Sequence, residues 1–240
     1  MRSRQRVRTQ SPELLFTTLA EQLKLPFVTV KHAAELLRAH PSPEELERLL
    51  ETIALTSSSA LTLIDGYLLS VRLQAEPKLP LEPVSLSSVL YDTAQSLDTY
   101  AKAHDCKLEL HVTGKFGPVM ARREVLQAAL QSLGFSFIEA ARQPDGETIV
   151  TLAAKRVKGG MSTGIYSGIN KLNSNLLKQA KILQGVARQP LGDFSAGSGA
   201  GVFVADALMN YLESPVRISR FQTLYGLAVT LTPSKQLNLV

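Results

Sequence analysis

FTTLAEQLKLPFVTVKHAAELL, residues Phe16 to Leu37, is the stretch whose reading decides the fold. Its apolar side chains fall at Phe16, Leu19, Leu23, Phe27, Val30, Ala34 and Leu37, in steps of three and four. That is a period near 3.5, the spacing of a seam between packed helices. Pro26 removes one backbone donor and crowds the carbonyl four residues back, so a kink is expected there. Upstream, Ser11 is placed as an N-cap with Pro12 at the first helical position. The helix should run to about Ala39.

His40-Pro41-Ser42-Pro43 breaks that helix, and Ser42, Pro43, Glu44 and Glu45 begin another. Its apolar residues lie at 46, 49/50, 53, 60/61, 64, 67/68 and 71, again at seam spacing, with Thr56-Ser57-Ser58-Ser59 as an expected interruption by weak helix formers. Two long helices on a short loop make an antiparallel hairpin with one apolar stripe on each. A lone hairpin cannot cover both stripes, so two copies should pair as a four-helix bundle, a homodimer.

Glu76-Pro77-Lys78-Leu79-Pro80-Leu81-Glu82-Pro83 is too rich in proline for a helix and reads as an extended linker. The chain thus divides into a basic tail (1–10), the hairpin (11–75), a linker (76–84) and a second domain (85–240). Within that domain, 86–104 is helical, 106–112 a strand with Leu108, Leu110 and Val112 inward, 117–120 a short strand and 123–142 an apolar helix. Residues 148–155 and 161–166 form a hairpin around Lys158-Gly159-Gly160. Helices follow at 172–186 and 201–212, then strands at 215–221 and 225–231. Helices on one face of a mixed sheet make an α+β sandwich.

With 240 residues and 45% hydrophobic content, the chain can bury a real core. Four arginines among the first eight residues carry much of the net charge of +5. This tail is read either as a frayed, solvated terminus or as a contact for nucleic acid or anionic lipid. Without interleaved aromatics the nucleic-acid reading is weak. No run of eighteen consecutive apolar residues occurs, so no membrane span is expected, and the N-terminus has no apolar signal core. The expected location is the cytoplasm. The single cysteine, Cys106, excludes an internal disulfide and a multi-cysteine zinc site.

A long amphipathic helix with a proline near its start resembles the first dimerisation helix of sensor histidine kinases. Their motif Ser-His-Glu-Leu-Arg-Thr-Pro-Leu aligns with Ala20-Glu21-Gln22-Leu23-Lys24-Leu25-Pro26-Phe27. Leucine and proline match, Lys24 supplies the positive charge, and Glu21 stands at the phosphoacceptor histidine. Residues 63–73, LIDGYLLSVRL, resemble the end of the second dimerisation helix. The helix–strand order after the linker resembles the Bergerat-type ATP-binding domain of the same family. The resemblance covers nearly the whole chain after residue 11.

It implies a set of positions for the chemistry. Glu21 is read as a fixed charge loosely imitating phosphohistidine, or as an ordinary exposed helix residue. His32, eleven residues on, lies about 20° round the helix and roughly 16 Å along it. It is read as a solvated histidine before a substitute acceptor. Ser132 and Ser136 stand where the family has two asparagines for magnesium and phosphate, and Arg122 where an aspartate is expected. Four residues apart on a helix is one face, but hydroxyls are shorter than amides and hold Mg²⁺ well mainly beside carboxylate or phosphate. Ser167 replaces the adenine-binding aspartate and lacks its charge and reach. Gly197, Gly199 and Gly201 resemble the second glycine box, a glycine run opening a helix where N–H groups favour an anion. They are equally read as glycines that permit a tight turn and close packing.

The expectation is therefore a degenerate histidine-kinase-like dimer without autophosphorylation, with no bound cofactor and a response-regulator-like or kinase protein as partner. The alternative is a divergent active kinase or ATPase that uses ATP and Mg²⁺.

Overall fold

The computed structural model describes residues 12–75, 80–112, 114, 117–141, 148–168 and 199–235. The tail arginines, the expected helix at 172–186 and Gly197 lie outside them. Helix α1 spans Pro12–Leu37 and runs through Pro26, and α2 spans Pro43–Ala75. Ser42 closes a capping box on α2. The Glu45 backbone N–H donates to Ser42 Oγ (3.3 Å), while the Ser42 N–H and hydroxyl donate to Glu45 Oε2 (3.0 and 2.9 Å). These bonds hold the Glu45 carboxyl below its ordinary range.

Two expectations for the hairpin are corrected. Phe27 is 61% exposed and Ala34 is exposed, while Ala33 is buried and Val30 and Leu37 stay half-buried, so within the chain the covered side takes in Ala33 and leaves out Phe27 and Ala34. Helix α2 continues unbroken through Thr56–Ser59. The Ser59 and Thr62 hydroxyls donate to the carbonyls of Thr56 and Ser58 (both 3.0 Å), and they stay on their own helix instead of breaking it. By length and composition alone α2 is also apolar enough to cross a membrane, because its serines, threonines and glycine interrupt the apolar run without adding charge. In this fold α2 packs against α1 and against the second unit.

After the hairpin come β1 (Glu82–Val84), α3 (Leu86–Ala103), β2 (Cys106–Val112), β3 (Val119–Ala121) and α4 (Arg123–Ala141). Then follow β4 (Thr148–Val157), β5 (Gly160–Ser167), α5 (Gly199–Tyr211), β6 (Arg217–Phe221) and β7 (Leu224–Leu231). The end of the expected linker is thus a strand, β1, paired antiparallel with β3. The main sheet has the order β2-β4-β5-β7-β6, with β2 parallel to β4 and the other pairs antiparallel. Helices α3, α4 and α5 cover one face. Leu90, Leu97, Leu130, Phe137, Phe203 and Leu227 are all fully buried in this core. Leu110, expected inward, is 38% exposed because β2 is an edge strand.

The other face is coiled. Phe221, at the tip of the β6–β7 hairpin, lies 5.5 Å from the Tyr166 ring and 5.8 Å from His111. Lys155 of β4 donates to the carbonyl of Arg220 on β6, across two intervening strands. Only a strongly twisted sheet brings those corners together. Burial raises the Tyr166 phenol above its ordinary range, against hydrogen bonds to Ser219 and Ser162.

At the far end of the helical layer, Tyr100 donates to Glu139 Oε1 (2.9 Å) while stacked on His104. Burial pushes the Glu139 carboxyl up to about 7, against the lowering effect of that hydrogen bond. A carboxyl raised on folding contributes most below its unfolded value of about 4.3 and loses that contribution as pH climbs towards 7. Glu139→Gln is therefore expected to leave stability near pH 4 little changed and to raise it by roughly 1–3 kcal/mol at pH 8. Urea melts of both chains across that range check this; parallel pH profiles would contradict it.

Candidate functional site

Helices α4 and α5 cross closely because the residues at the crossing are small. A β-carbon added at Gly201 would overlap the Ser132 carbonyl oxygen and Ser136 Oγ, so α5 seats its backbone directly on α4. Ser132 is fully buried and Ser136 is 3% exposed. The Ser132 hydroxyl donates to the Ala128 carbonyl (2.8 Å), one turn back on its own helix. Of the positions singled out in the sequence, Ser132, Ser136 and Gly201 are thus brought together, and Gly199 begins α5.

Ser167 ends β5, paired between Val150 and Tyr225, and is fully buried. It lies on the helix-covered face, in step with Met161 and Ile165. Arg122, just ahead of α4, donates to Glu124 Oε1 (2.6 Å). That contact and the nearby charge of Glu82 raise its guanidinium further. Arg123 pairs with Asp92 and donates to Ser88 Oγ (3.1 Å), clamping the start of α4 to α3. The positions expected to hold metal and phosphate are thus occupied by cations and small hydroxyls.

One residue that sequence reasoning passed over completes the junction. Gly66 of α2 faces this crossing: a β-carbon there would lie 2.9 Å from Val204 Cγ1 and 3.3 Å from Ser132 Oγ. A glycine inside an otherwise amphipathic helix was the available signal. The neighbouring Tyr67 ring lies 6.0 Å from Phe16 of α1, which sets the hairpin register. Glu21, five residues further along α1, sits about 7.5 Å from that level. His32 is exposed on the same helix.

As placed, the donor set does not fit a magnesium–phosphate group. Both hydroxyls are buried against protein, and Arg122 stands where a carboxylate is expected. Among the described residues, no group of three or more His, Cys, Asp or Glu could hold a metal ion.

Because Gly201 has no room for a side chain, Gly201→Ala is expected to lower stability by roughly 1–3 kcal/mol, as an overpacked core position does. Chemical denaturation measures this; a loss below about 0.5 kcal/mol, typical of surface sites, would show that the crossing is looser.

No protein-family model matches the chain. It is 27% identical over 115 residues to the sensor protein CreC of Escherichia coli K12, covering 48% of this chain. The match spans about a quarter (24%) of that relative's length. Among solved structures, the histidine kinase AdeS of Acinetobacter baumannii superposes with a TM-score of 0.54 at 14% identity, over 90% of this chain and 98% of that one. Full-length ShkA in complex with AMPPNP gives 0.55 at 16% identity, over 93% of this chain and 47% of that one. The chain shares sequence with a sensor histidine kinase and has the histidine-kinase fold, a helical hairpin followed by an ATPase-type α/β sandwich.

Proposed function

We propose that the chain is a cytoplasmic, dimeric signalling module that uses the histidine-kinase scaffold for protein–protein contact and does not autophosphorylate. The observation that carries this reading is the filled α4–α5 crossing, where Ser132 and Ser136 are buried under Gly201 and Gly66. Glu21 at the acceptor position adds to it, since a carboxylate lacks the neutral imidazole nitrogen that attacks a γ-phosphate. A response-regulator-like protein or an active kinase is the partner class that fits such a hairpin.

Dimerisation is supported by the apolar surface that the fold leaves open. On α2, Leu46, Leu50, Leu61 and Leu68 are 43–58% exposed and fall within about 60° of one another around the helix. On α1, Leu25, Val28 and Leu36 are 42–61% exposed and share one side. A second copy set against this face gives the four-helix bundle. Light scattering is expected to give twice the chain mass, and Leu61→Glu with Leu68→Glu to give the monomer. A monomeric parent chain would end the dimer proposal.

Incubation with γ-labelled ATP and Mg²⁺ tests the chemistry directly. No acid-labile, base-stable label is expected on the chain, and Glu21→His alone should not restore it. Label on the parent chain would sink the reading.

The second reading, a divergent ATP-using kinase or ATPase, draws on two observations. Helix α5 opens at Gly199 in the manner of an anion-binding glycine run, and the ShkA structure of similar fold contains AMPPNP. Calorimetric titration with a non-hydrolysable ATP analogue separates the two. Micromolar affinity supports the second reading, and silence to millimolar supports the first.

A further inference from the structure

We infer that the hairpin is a fixed plug on the sandwich: Gly66 is the notch by which α2 seats on Ser132, Val204 and Leu208, and the two units form one closed body in solution. The inference deepens the reading above, because the seam beneath the plug is the one assigned there to the lost phosphate site.

The buried face of α2 runs through Ser59, Leu63, Gly66, Ser70 and Leu73, at steps of three and four. It lies on the opposite side of the helix from Leu61 and Leu68. Leu73 belongs to the main sandwich core, and Leu55, Tyr67 and Leu69 pack against that core. The polar groups on this face are satisfied within α2: Ser59 Oγ donates to the Thr56 carbonyl (3.0 Å) and Ser70 Oγ to the Tyr67 carbonyl (2.7 Å). Interfaces between mobile domains are usually more polar and call for water. Here Leu73 is continuous with the sandwich core, and the two serine hydroxyls find their acceptors within α2. A glycine inside a helix is also unfavourable relative to alanine. At position 66 the close approach offsets that, since a methyl group there would meet Val204 at 2.9 Å.

A cysteine pair tests the plug in the full chain. In Gly66→Cys/Val204→Cys the two β-carbons come within disulfide reach, and the native Cys106 is buried. Mild oxidation is expected to close an intramolecular crosslink in most of the population without changing the oligomeric mass. Thiols that stay reduced, or crosslinks that join two chains, would overturn the inference. A wedge gives the second measurement. Gly66→Leu is expected to speed amide exchange over residues 126–136 by roughly tenfold or more while β4 and β5 stay protected, and Glu51→Ala, at an exposed position of the same helix, to leave it unchanged. Unaltered exchange in the wedge variant would also overturn it; if that variant does not fold, the cysteine pair decides. The nucleotide titration reports separately. Affinity for the ATP analogue in the crosslinked chain would end the functional reading and leave the plug standing. Silence without a crosslink would do the reverse.

Discussion

Everything in this fold is arranged around one crowded point, the backbone of α4 at Ser132. α5 presses on it from one side through Gly201, and α2 presses from another through Gly66. Three helices meet so closely only when each brings a small residue, because interiors are packed to crystal-like density and an extra methyl group must displace something. The same constraint governs what position 132 can hold. A serine turns its hydroxyl back onto the Ala128 carbonyl and occupies almost no lateral space. A side chain with an amide at its end would need the space taken by Gly66 and Val204. The packing and the residue type at this position are therefore one physical fact.

The sheet answers a related problem on its other side. A two-layer sandwich leaves one sheet face without helices. Here the coil of the strands brings Phe221 over Tyr166 and His111, with Ala153 and Ala228 beneath. Gly226 makes this possible: a β-carbon there would lie 2.6 Å from Tyr166 Cδ1, so the rings could not fold down on any larger residue. The result is a small second cluster, made from strand residues and a hairpin tip.

The sequence made the local elements legible and the long-range contacts much less so. Capping chemistry at Ser42, period-3.5 seams and the Gly159 turn each report on neighbours a few residues away, and elements appear where those signals place them. That Phe27 and Ala34 face outward within the chain was not legible, because the covered side of an apolar helix depends on what packs against it. The Thr56–Ser59 run illustrates tertiary override: weak helix formers continue the helix once their hydroxyls bond locally and a core lies beneath them. At the candidate site, the substitutions at 132, 136 and 167 could be read by comparison with a motif. The burial of Ser132 and Ser136 could not, since it depends on Gly66, 66 residues before position 132, and on Gly201, 65 after position 136, and no periodicity links them.

Helix α2 carries the remaining step. An ordinary surface helix has one apolar stripe facing one core. α2 has an apolar face turned to the sandwich, contacts with α1 along the hairpin, and a third face on which Leu46, Leu50, Leu61 and Leu68 are exposed among the described residues. This is why its composition alone would pass for a membrane span: only 22% of its most apolar window is buried. Burial contributes about 25 cal/mol per Å² of apolar surface, so four leucines left in water forfeit several kcal/mol that a second helix pair would recover. The face towards the sandwich is closed by Gly66 and offers no such room. In the arrangement proposed above, a partner approaches from the outer side of the hairpin and the α4–α5 seam stays covered.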